Sequence, residues 1–546
     1  MHRLLATLST RDRVAQLVMP WITGGYVSYD DTAFARVQRW VDSLHVGGII
    51  VSIGSPMDVA AKLNRLQRMA PLPLLVSSDL ESGSSFRLNG GTPFPTNMGV
   101  AATGSDLDAY EMGRITALEG RAVGIHLTFA PVADVNNNPA NPIINTRSFG
   151  ENPEMVARLV AAEVRGLQEN GMYATAKHFP GHGDTGTDSH ISLPVITANW
   201  PRLDSVELVP FRAAVKAGVT AVMSAHIALP GVDHGQNRPA TVAPNILTGV
   251  LRDSLGFRGL IVTDALNMGA LVNSYGAGEA AVLAFLAGAD LLLQPADPAV
   301  AITAMMAALD SGRFSLARLD SSVIRILDLK SRLGLFSERL ISLDRVPAYV
   351  GAAGFQRIAE EVTARSIVLV KDSANTVDSI RARNRPLTVV SYGDDAGATL
   401  IGDLRGRGYR ISAFRLYPQS GPASYDSARV MIEANGIAVF VTAVRATAWS
   451  GNIGLAQQFV ELMESAARRK RTVLVSFGSP YLISAIPSIG SYILGWQARG
   501  MGERAMAAAL SGETLITGKL PITIPGGGPF GYGIRKVRVR ASGSPR

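Results

Sequence analysis

The chain has 546 residues, of which 47% are apolar and 18% charged, a balance that allows two or three globular domains. Cysteine is absent, which excludes disulfides, thiolate metal sites and cysteine nucleophiles. The net charge of +8 is interpreted as a solvated basic surface. Nucleic acid is not an expected partner, because the sequence has no zinc-knuckle, RNA-recognition or helix-turn-helix pattern.

The N-terminal stretch, MHRLLATLSTRDRVAQL, has an apolar run too short for a signal peptide and predicts a helix capped by Ser9 or Thr10. No apolar run is long enough to predict a membrane-spanning helix, so a membrane is not an expected partner either. As written, the sequence indicates a cytoplasmic monomer. Export is the alternative if a further N-terminal signal precedes this sequence.

The first part of the chain alternates short apolar runs with stretches of helical periodicity, such as residues 31–44, 152–171 and 245–256. Continuous apolar runs that alternate with amphipathic helices predict a parallel sheet. Eight such runs predict a closed (β/α)₈ barrel over residues 1–338. The runs are 16–20, 47–52, 73–79, 127–134, 174–179, 221–227, 259–265 and 291–295.

Reactive polar residues lie at the C-terminal ends of five of these runs. In a barrel these ends meet at one mouth, where active sites form, so the pattern predicts a catalytic barrel. The residues are Asp79, Asp134, Lys177 with His178, His226 and Asp264.

Residues 339–355 are interpreted as a linker, and residues 356–546 as a second domain. Its apolar runs again alternate with helical stretches, which predicts an α/β sandwich with helices on both faces of a sheet. Neither G-x-G-x-x-G nor a P-loop follows its first run, so no nucleotide cofactor is expected. The runs are 366–372, 387–394, 410–417, 436–444, 472–480 and 491–497.

The stretch KHFPGHGDTGTDSH, residues 177–190, holds three of the eight histidines of the chain. Three interpretations compete: a metal site, a loop held by internal hydrogen bonds, and acid/base chemistry. The spacing matches no standard metal motif, so no metal is expected. Asp188 and His190 are separated by one residue, so the carboxylate can orient the imidazole and stabilise its protonated form. Gly181, Gly183 and Gly186 are expected to keep this loop pliable.

Asp264, in GLIVTDALNMGA, follows a run that is expected to be a buried barrel strand. It is placed equally well to act as a nucleophile at the barrel mouth and to cap the helix that follows. A nucleophilic carboxylate with a separate acid is the arrangement of a retaining glycosidase, in which the acid is usually a second carboxylate. Here an Asp–His dyad would replace it.

At these motifs the sequence resembles the β-N-acetylhexosaminidase branch of glycoside hydrolase family 3. KHFPGHGDTGTDSH is similar to the signature loop of that branch, and GFRGLIVTDALNMGA is similar to the nucleophile strand of the family. Further segments resemble family segments in the same order, so the resemblance covers nearly the whole chain. They are DLESGSSFRL, FAPVADVNNNPANPIINTRSFG, VMSAHIALP, RPATVAPNILTGVLRD, GADLLLQP and GETLITGKLPITIP.

The resemblance implies roles for the matching positions. Asp264 would be the nucleophile, and His190 the acid/base, oriented by Asp188. The residues implied to hold the terminal sugar are Asp79, Arg87, Arg147, Lys177 and His178. Two departures are noted: Ser82 and Ser84 replace a glycine and an arginine common in the family, and Asn267 replaces a common acidic residue.

The resemblance therefore implies a cofactor-free, exo-acting, retaining β-N-acetylglucosaminidase that works through a glycosyl–Asp264 intermediate. Peptidoglycan fragments, including muropeptides, and chitin oligomers are the implied substrates. Inorganic phosphate is an alternative acceptor to water, because a neutral imidazole base does not repel an anion. The alternatives are a β-glucosidase or β-xylosidase of the same family, which would take its acid from a second-domain Glu, and a non-catalytic sugar-binding relative.

Overall fold

A computed structural model describes residues 1–28, 30–394, 396–434, 436–445 and 454–538. The chain forms two compact units, and neither of them is one continuous stretch of sequence. Two segments, residues 94–108 and 142–152, lie between barrel segments in the sequence but group with the second unit. The first unit contains Met1–Pro93, Ala109–Asn141 and Pro153–Gln356, and the second contains Phe94–Asp108, Pro142–Asn152 and Arg357–Arg546.

The first unit contains a strand at each of the eight predicted positions, all of them short and almost entirely buried. The first position is divided into two pairs of residues by Pro20. The strands are Val18–Met19 with Trp21–Ile22, Gly48–Val51, Leu75–Ser78, Leu127–Thr128, Thr175–Phe179, Ala221–Ser224, Leu260–Val262 and Leu292–Leu293.

These strands form one closed parallel ring. The second to fourth strands pair in sequence order, as do the fifth to seventh, and the first strand pairs with both the second and the eighth. Single parallel bridges, Leu127–Tyr173 and Val262–Leu291, join the remaining neighbours. The predicted (β/α)₈ barrel is confirmed, and its closure places the C-terminal ends of all eight strands on one rim.

Helices follow each barrel strand, including those predicted at 31–44, 152–171 and 245–256. The predicted N-terminal cap is also present, since Ser9 Oγ accepts a hydrogen bond from the Asp12 amide at 3.1 Å. The helices of the barrel region are His2–Thr7, Thr10–Ala15, Thr32–Asp42, Pro56–Met69, Asp106–Ala122, Pro153–Gln168, Trp200–Ser205, Leu208–Lys216, the π-helix Asn245–Ser254, Gly269–Val272, Ala277–Ala287, Pro298–Asp310 and Leu316–Arg332.

The second unit contains a six-stranded sheet covered by helices on both faces, as predicted. Two separate apolar clusters, one on each face, make this a three-layer α/β sandwich. In sheet order the strands are Val368–Asp372, Ser491–Leu494, Arg471–Ser476, Ile437–Thr442, Leu387–Tyr392 and Ile411–Leu416, of which only the first is antiparallel to its neighbour. The main helices are Thr376–Arg381, Ala398–Gly406, Pro422–Ala434, Gln457–Ala467 and Gly500–Ser511.

The segments 94–108 and 142–152 group with this second unit, and the first of them contributes to its core. Met98 and Ala102, from the helix Asn97–Ala102, belong to the apolar cluster on one face of its sheet. The Thr96 amide also donates to the Trp496 carbonyl at 3.2 Å. Chain order alone places both segments in the barrel domain, whereas their contacts place them in the second unit.

Residues 339–355, interpreted as a linker, contain the 3₁₀ turn Leu343–Arg345 and the short helix Val346–Tyr349. The helix Ala353–Ser366 then begins just before the predicted domain boundary. Within the described ranges, no helix combines the length and apolar character that crossing a membrane requires.

Candidate active site

The barrel brings together at its rim most of the side chains that the sequence singles out. Asp79, Lys177 with His178, and Asp264 lie within two residues of the C-terminal ends of the third, fifth and seventh strands. Asp264 lies near three histidines, since the charges of His178, His190 and His226 each lower the pKa of its carboxyl. The predicted catalytic groups therefore share one site in the first unit.

Asp264 is a partly exposed carboxylate at the rim. Removal from water raises its pKa, but the positive charges of His226 and His178 and a hydrogen bond from the Ala265 amide outweigh that effect and lower the pKa to about 2. The amide bond, to Asp264 Oδ1, is 2.8 Å long. Asp264 is thus ionised at neutral pH, the state that a nucleophile needs. Its side chain makes no helix-capping bond to the next helix, Gly269–Val272, where Met268 is the N-cap.

His226 binds the backbone of Ala265, the residue after Asp264. It is fully buried, its Nε2 is 2.9 Å from the Ala265 carbonyl oxygen, and its Nδ1 is 2.8 Å from Thr241 Oγ1. A carbonyl can only accept, so Nε2 carries the proton. His226 therefore holds the backbone next to Asp264 in place. Its position at a strand end did not by itself reveal this role.

Asp188 and His190 form the predicted dyad. Asp188 Oδ1 accepts from the His190 ring Nδ1 at 2.8 Å and from the His190 amide at 2.9 Å. The Asp188 side chain is 1% exposed and the His190 side chain is 24% exposed, so the carboxylate is buried while the imidazole ring is accessible from the site. Because Nδ1 is held by the carboxylate, Nε2 is the ring nitrogen that can exchange a proton with a substrate.

Lys177 is held between two carboxylates. Its Nζ lies 2.8 Å from Asp79 Oδ1 and 2.7 Å from Glu81 Oε1, and Arg87 lies 3.6 Å from the other oxygen of Asp79. Glu163 is a buried residue of the helix Pro153–Gln168 that interacts electrostatically with Glu81 and Lys177. Burial and the charge of Glu81 raise the pKa of Glu163 well above its usual value, which favours a neutral carboxyl there. Asp79 and Arg87 keep more than a quarter of their side-chain surface exposed for a ligand.

A buried carboxylate, Asp134, orients His178. Its oxygens accept from the His178 ring Nδ1 at 2.7 Å, from the His178 amide at 3.2 Å and from the His182 amide at 2.6 Å. Burial raises the pKa of Asp134, but the charges and hydrogen bonds of these histidines outweigh it and lower the pKa below its usual value. The sequence marked Asp134 only as a strand-end residue. Its partners lie more than forty residues away, so no local pattern showed them.

The histidine-rich loop carries the dyad and is also held by hydrogen bonds between its own residues, such as those of the His182 ring to Thr185 and Ser189. A Cβ on Gly183 would lie 1.8 Å from the Val135 carbonyl oxygen, and Gly181 has a φ of 132°, so both positions require glycine in this conformation. Only Gly186 has open space around it. Across the described part of the chain, no three His, Cys, Asp or Glu side chains are grouped as metal ligands would be.

Arg147 belongs to the second unit. It ends the 3₁₀ turn Asn145–Arg147, and its carbonyl accepts from Asn97 Nδ2 at 2.7 Å. A contact between Arg147 and the sugar therefore stays a prediction.

The sequence profile of a family described as "Glycosyl hydrolase family 3 N terminal domain" matches residues 9–329, more than half of the chain. The chain belongs to glycoside hydrolase family 3. It is therefore a glycoside hydrolase, and the match spans Asp79, the dyad and Asp264.

Relatives along nearly the whole chain support the same assignment. A Cellulomonas fimi protein named "Beta-N-acetylglucosaminidase/beta-glucosidase" is 31% identical over 501 residues, which cover 88% of this chain and 88% of that protein. A solved family 3 beta-N-acetylglucosaminidase from Paenibacillus sp. str. FPU-7 superposes with a TM-score of 0.85 at 34% identity, covering 95% of this chain and 99% of that one. The resemblance to the N-acetylhexosaminidase branch of family 3 is thereby confirmed.

A second solved structure, of a beta-glucoside phosphorylase, BglX, bound to 2FGlc, superposes with a TM-score of 0.87 at 25% identity and covers 96% of each chain. The solved structures that are similar to this chain therefore include one described as a phosphorylase.

We expect Asp134→Asn to weaken substrate binding through His178. The NH2 of the asparagine would face either the His178 ring Nδ1 or the His178 and His182 amides, none of which can then donate to it. Losing a charge-assisted bond of about 1.5–3 kcal/mol should lower kcat/KM by roughly tenfold to hundredfold, mainly through KM. Steady-state kinetics on an aryl glycoside will measure this change.

Asp290→Asn is the matched control, because Asp290 is a buried barrel aspartate that accepts from Arg252 and the Ile261 amide. Its loss should lower thermal stability with little effect on KM. If Asp134→Asn behaved in the same way, Asp134 would be a structural residue only.

Proposed function

We propose that this protein is an exo-acting, retaining β-N-acetylglucosaminidase that uses Asp264 as nucleophile and His190 as acid/base. The observation that carries the proposal is the Asp188–His190 dyad at the same barrel rim as an ionised Asp264. One group has the charge to attack an anomeric carbon, and the other has a ring nitrogen held ready for proton transfer.

The first step forms a glycosyl ester. An Asp264 oxygen bonds to the anomeric carbon while the bond from that carbon to the leaving oxygen breaks, and protonated His190 gives its Nε2 proton to the leaving oxygen. In the second step neutral His190 takes a proton from the acceptor, whose oxygen bonds to the anomeric carbon as the bond to Asp264 breaks. Two inversions give net retention. Asp188 keeps the ring oriented through both steps.

The names of the relatives support N-acetylglucosamine as the terminal sugar, since the Cellulomonas fimi and Paenibacillus proteins are both described as beta-N-acetylglucosaminidases. Asp79, Arg87, Lys177 and His178 supply the mixture of acceptors and donors that sugar hydroxyls require. Peptidoglycan fragments and chitin oligomers are the proposed sources of this sugar. The first name also includes beta-glucosidase, so glucosides are the competing substrates.

We further propose that inorganic phosphate can replace water in the second step. A neutral imidazole base carries no charge that would repel an anion, whereas the carboxylate base of a typical retaining glycosidase does. The similarity to a structure described as a beta-glucoside phosphorylase supports this acceptor. A phosphate oxygen would attack the anomeric carbon and give the sugar 1-phosphate.

One assay tests sugar and acceptor together. The p-nitrophenyl β-glycosides of N-acetylglucosamine and glucose are compared with and without phosphate, and the products are separated. We expect kcat/KM to favour the N-acetyl sugar by at least about tenfold, because a site built for the acetamido group leaves polar groups unpaired without it. Equal kcat/KM values would contradict the proposed selectivity. Absence of the sugar phosphate at high phosphate concentration would restrict the acceptor to water.

The dyad predicts a dependence on the leaving group. With His190→Ala, 2,4-dinitrophenol needs no acid to depart, so the first step should be little slowed and a burst should precede turnover. A poor leaving group should lose about 10²–10⁴ in rate, the usual scale of general acid catalysis. Asp188→Ala should show the same pattern in milder form. Stopped-flow measurement of both substrates will check it.

The chain offers a matched control in a second imidazole–carboxylate pair, His45 Nδ1 with Asp12 Oδ1 at 2.7 Å, formed by residues that precede the second barrel strand. His45→Asn should leave the leaving-group dependence unchanged; asparagine also tolerates the positive φ of 57° at that position. Equal slowing of good and poor leaving groups in His190→Ala would show that His190 is not the acid.

A further inference from the structure

His182 spans the histidine-rich loop from inside. Its ring Nδ1 lies 2.8 Å from Thr185 Oγ1 and its Nε2 lies 2.9 Å from Ser189 Oγ, while its residue as a whole is 2% exposed. Ser189 separates the two members of the dyad. One buried imidazole therefore ties the middle of the loop to the peptide between Asp188 and His190.

The hydrogen bonds around His182 fit one neutral tautomer. The Thr185 hydroxyl donates to the His182 carbonyl at 3.1 Å and accepts from Asn141 Nδ2 at 3.3 Å, so it meets Nδ1 as an acceptor. Nδ1 then carries the proton, and Nε2 accepts from the Ser189 hydroxyl. Burial, together with the charge of His178, lowers the pKa of His182 to about 4, which keeps this tautomer at neutral pH.

The dyad end of the loop contacts the segment that follows the nucleophile. The Gly269 amide donates to the His190 carbonyl at 3.2 Å, and the Ala270 amide to the Ser189 carbonyl at 3.4 Å. A Cβ on Gly269 would lie 2.7 Å from the carbonyl oxygens of both His190 and Ile191, so glycine permits the approach. These backbone contacts connect the peptide of His190 to the chain five residues beyond Asp264.

We propose that His182 is a positioning residue of the reaction: through Ser189 it holds the peptide of His190 against Gly269, and so sets the spacing between acid/base and nucleophile. This inference rests on the proposed roles of His190 and Asp264. Proton transfer to a leaving group requires hydrogen-bond reach, and a misplacement of about 1 Å can cost about a hundredfold in rate. Loss of His182 should therefore impair the acid-dependent step selectively.

The competing interpretation is a core histidine that only stabilises the loop. A general loss of stability would slow all substrates equally, whereas a displaced acid slows those that need protonation. The variants are His182→Ala and the milder Ser189→Ala, which removes only one of the two partners. His126→Gln is the matched control: this buried histidine accepts from the Val76 amide at 3.1 Å and directly precedes the fourth strand, away from the rim.

The kinetic readout is the ratio of kcat/KM for a dinitrophenyl glycoside to kcat/KM for a poor-leaving-group glycoside. We expect this ratio to rise by about tenfold to hundredfold in His182→Ala and by a few-fold in Ser189→Ala, and to stay unchanged in His126→Gln. In a His190→Ala background, His182→Ala should cause no further loss of kcat/KM for the poor-leaving-group glycoside, because the imidazole that His182 positions is already absent. An unchanged ratio, or fully additive losses, would overturn the proposal.

Hydrogen exchange supplies a readout that needs no turnover. The amides of Gly269 and Ala270 should exchange at least about tenfold faster in His182→Ala than in the wild type, and at the wild-type rate in His126→Gln. Unchanged protection of these amides would overturn the positioning role even in an active enzyme. Failure of the wild type to cleave any N-acetylglucosaminide would refute the proposed function instead, so the two failures are distinguishable.

Discussion

Closure of the barrel is the constraint on which the site depends. Each strand contributes only two to five residues, and parallel pairing around the full ring puts the C-terminal end of every strand on one rim. Residues far apart in sequence, such as Asp79, Lys177 and Asp264, become neighbours at the rim although the strands that carry them are short. Hence side chains at the rim can vary in chemistry while the buried strand residues maintain the ring.

Within the site, carboxylates act differently because their surroundings differ. Asp264 is surrounded by imidazoles and held by one amide, so it stays ionised and its oxygens remain available to a substrate. Asp134 and Asp188 are almost fully buried, and each uses its oxygens to hold one imidazole ring. Environment separates the proposed nucleophile from the two orienting groups, as it separates paired carboxylates in other hydrolases.

The fold and the main site residues were predictable because their signals are local. An apolar run of a few residues marks a buried strand, and a charged residue at its end marks the rim, which identified Asp79, His178 and Asp264. The one-residue separation of Asp188 and His190 likewise allows their bond. Asp134 and His226 had the same strand-end signal, but their partners come from segments fifteen or more residues away, so their roles were not visible.

Other features depended on contacts between distant segments. His182 is a different case, because its ring bonds within its own loop to Thr185 and Ser189, and the sequence alone does not show whether this ring would contact those hydroxyls or a metal. Gly269 needs to be glycine only because the loop peptide of His190 approaches it. The second-unit membership of segment 142–152, with Arg147, follows from packing that chain order does not encode.

Covalent labelling of the nucleophile tests the central claim most directly. A 5-fluoro-N-acetylglucosaminyl fluoride keeps the acetamido group and slows breakdown of the glycosyl ester, so incubation followed by peptide mass spectrometry locates the attachment. The account predicts one sugar bound per chain, on the peptide that contains Asp264, and no labelling of Asp264→Ala. Attachment to any other carboxylate would contradict it.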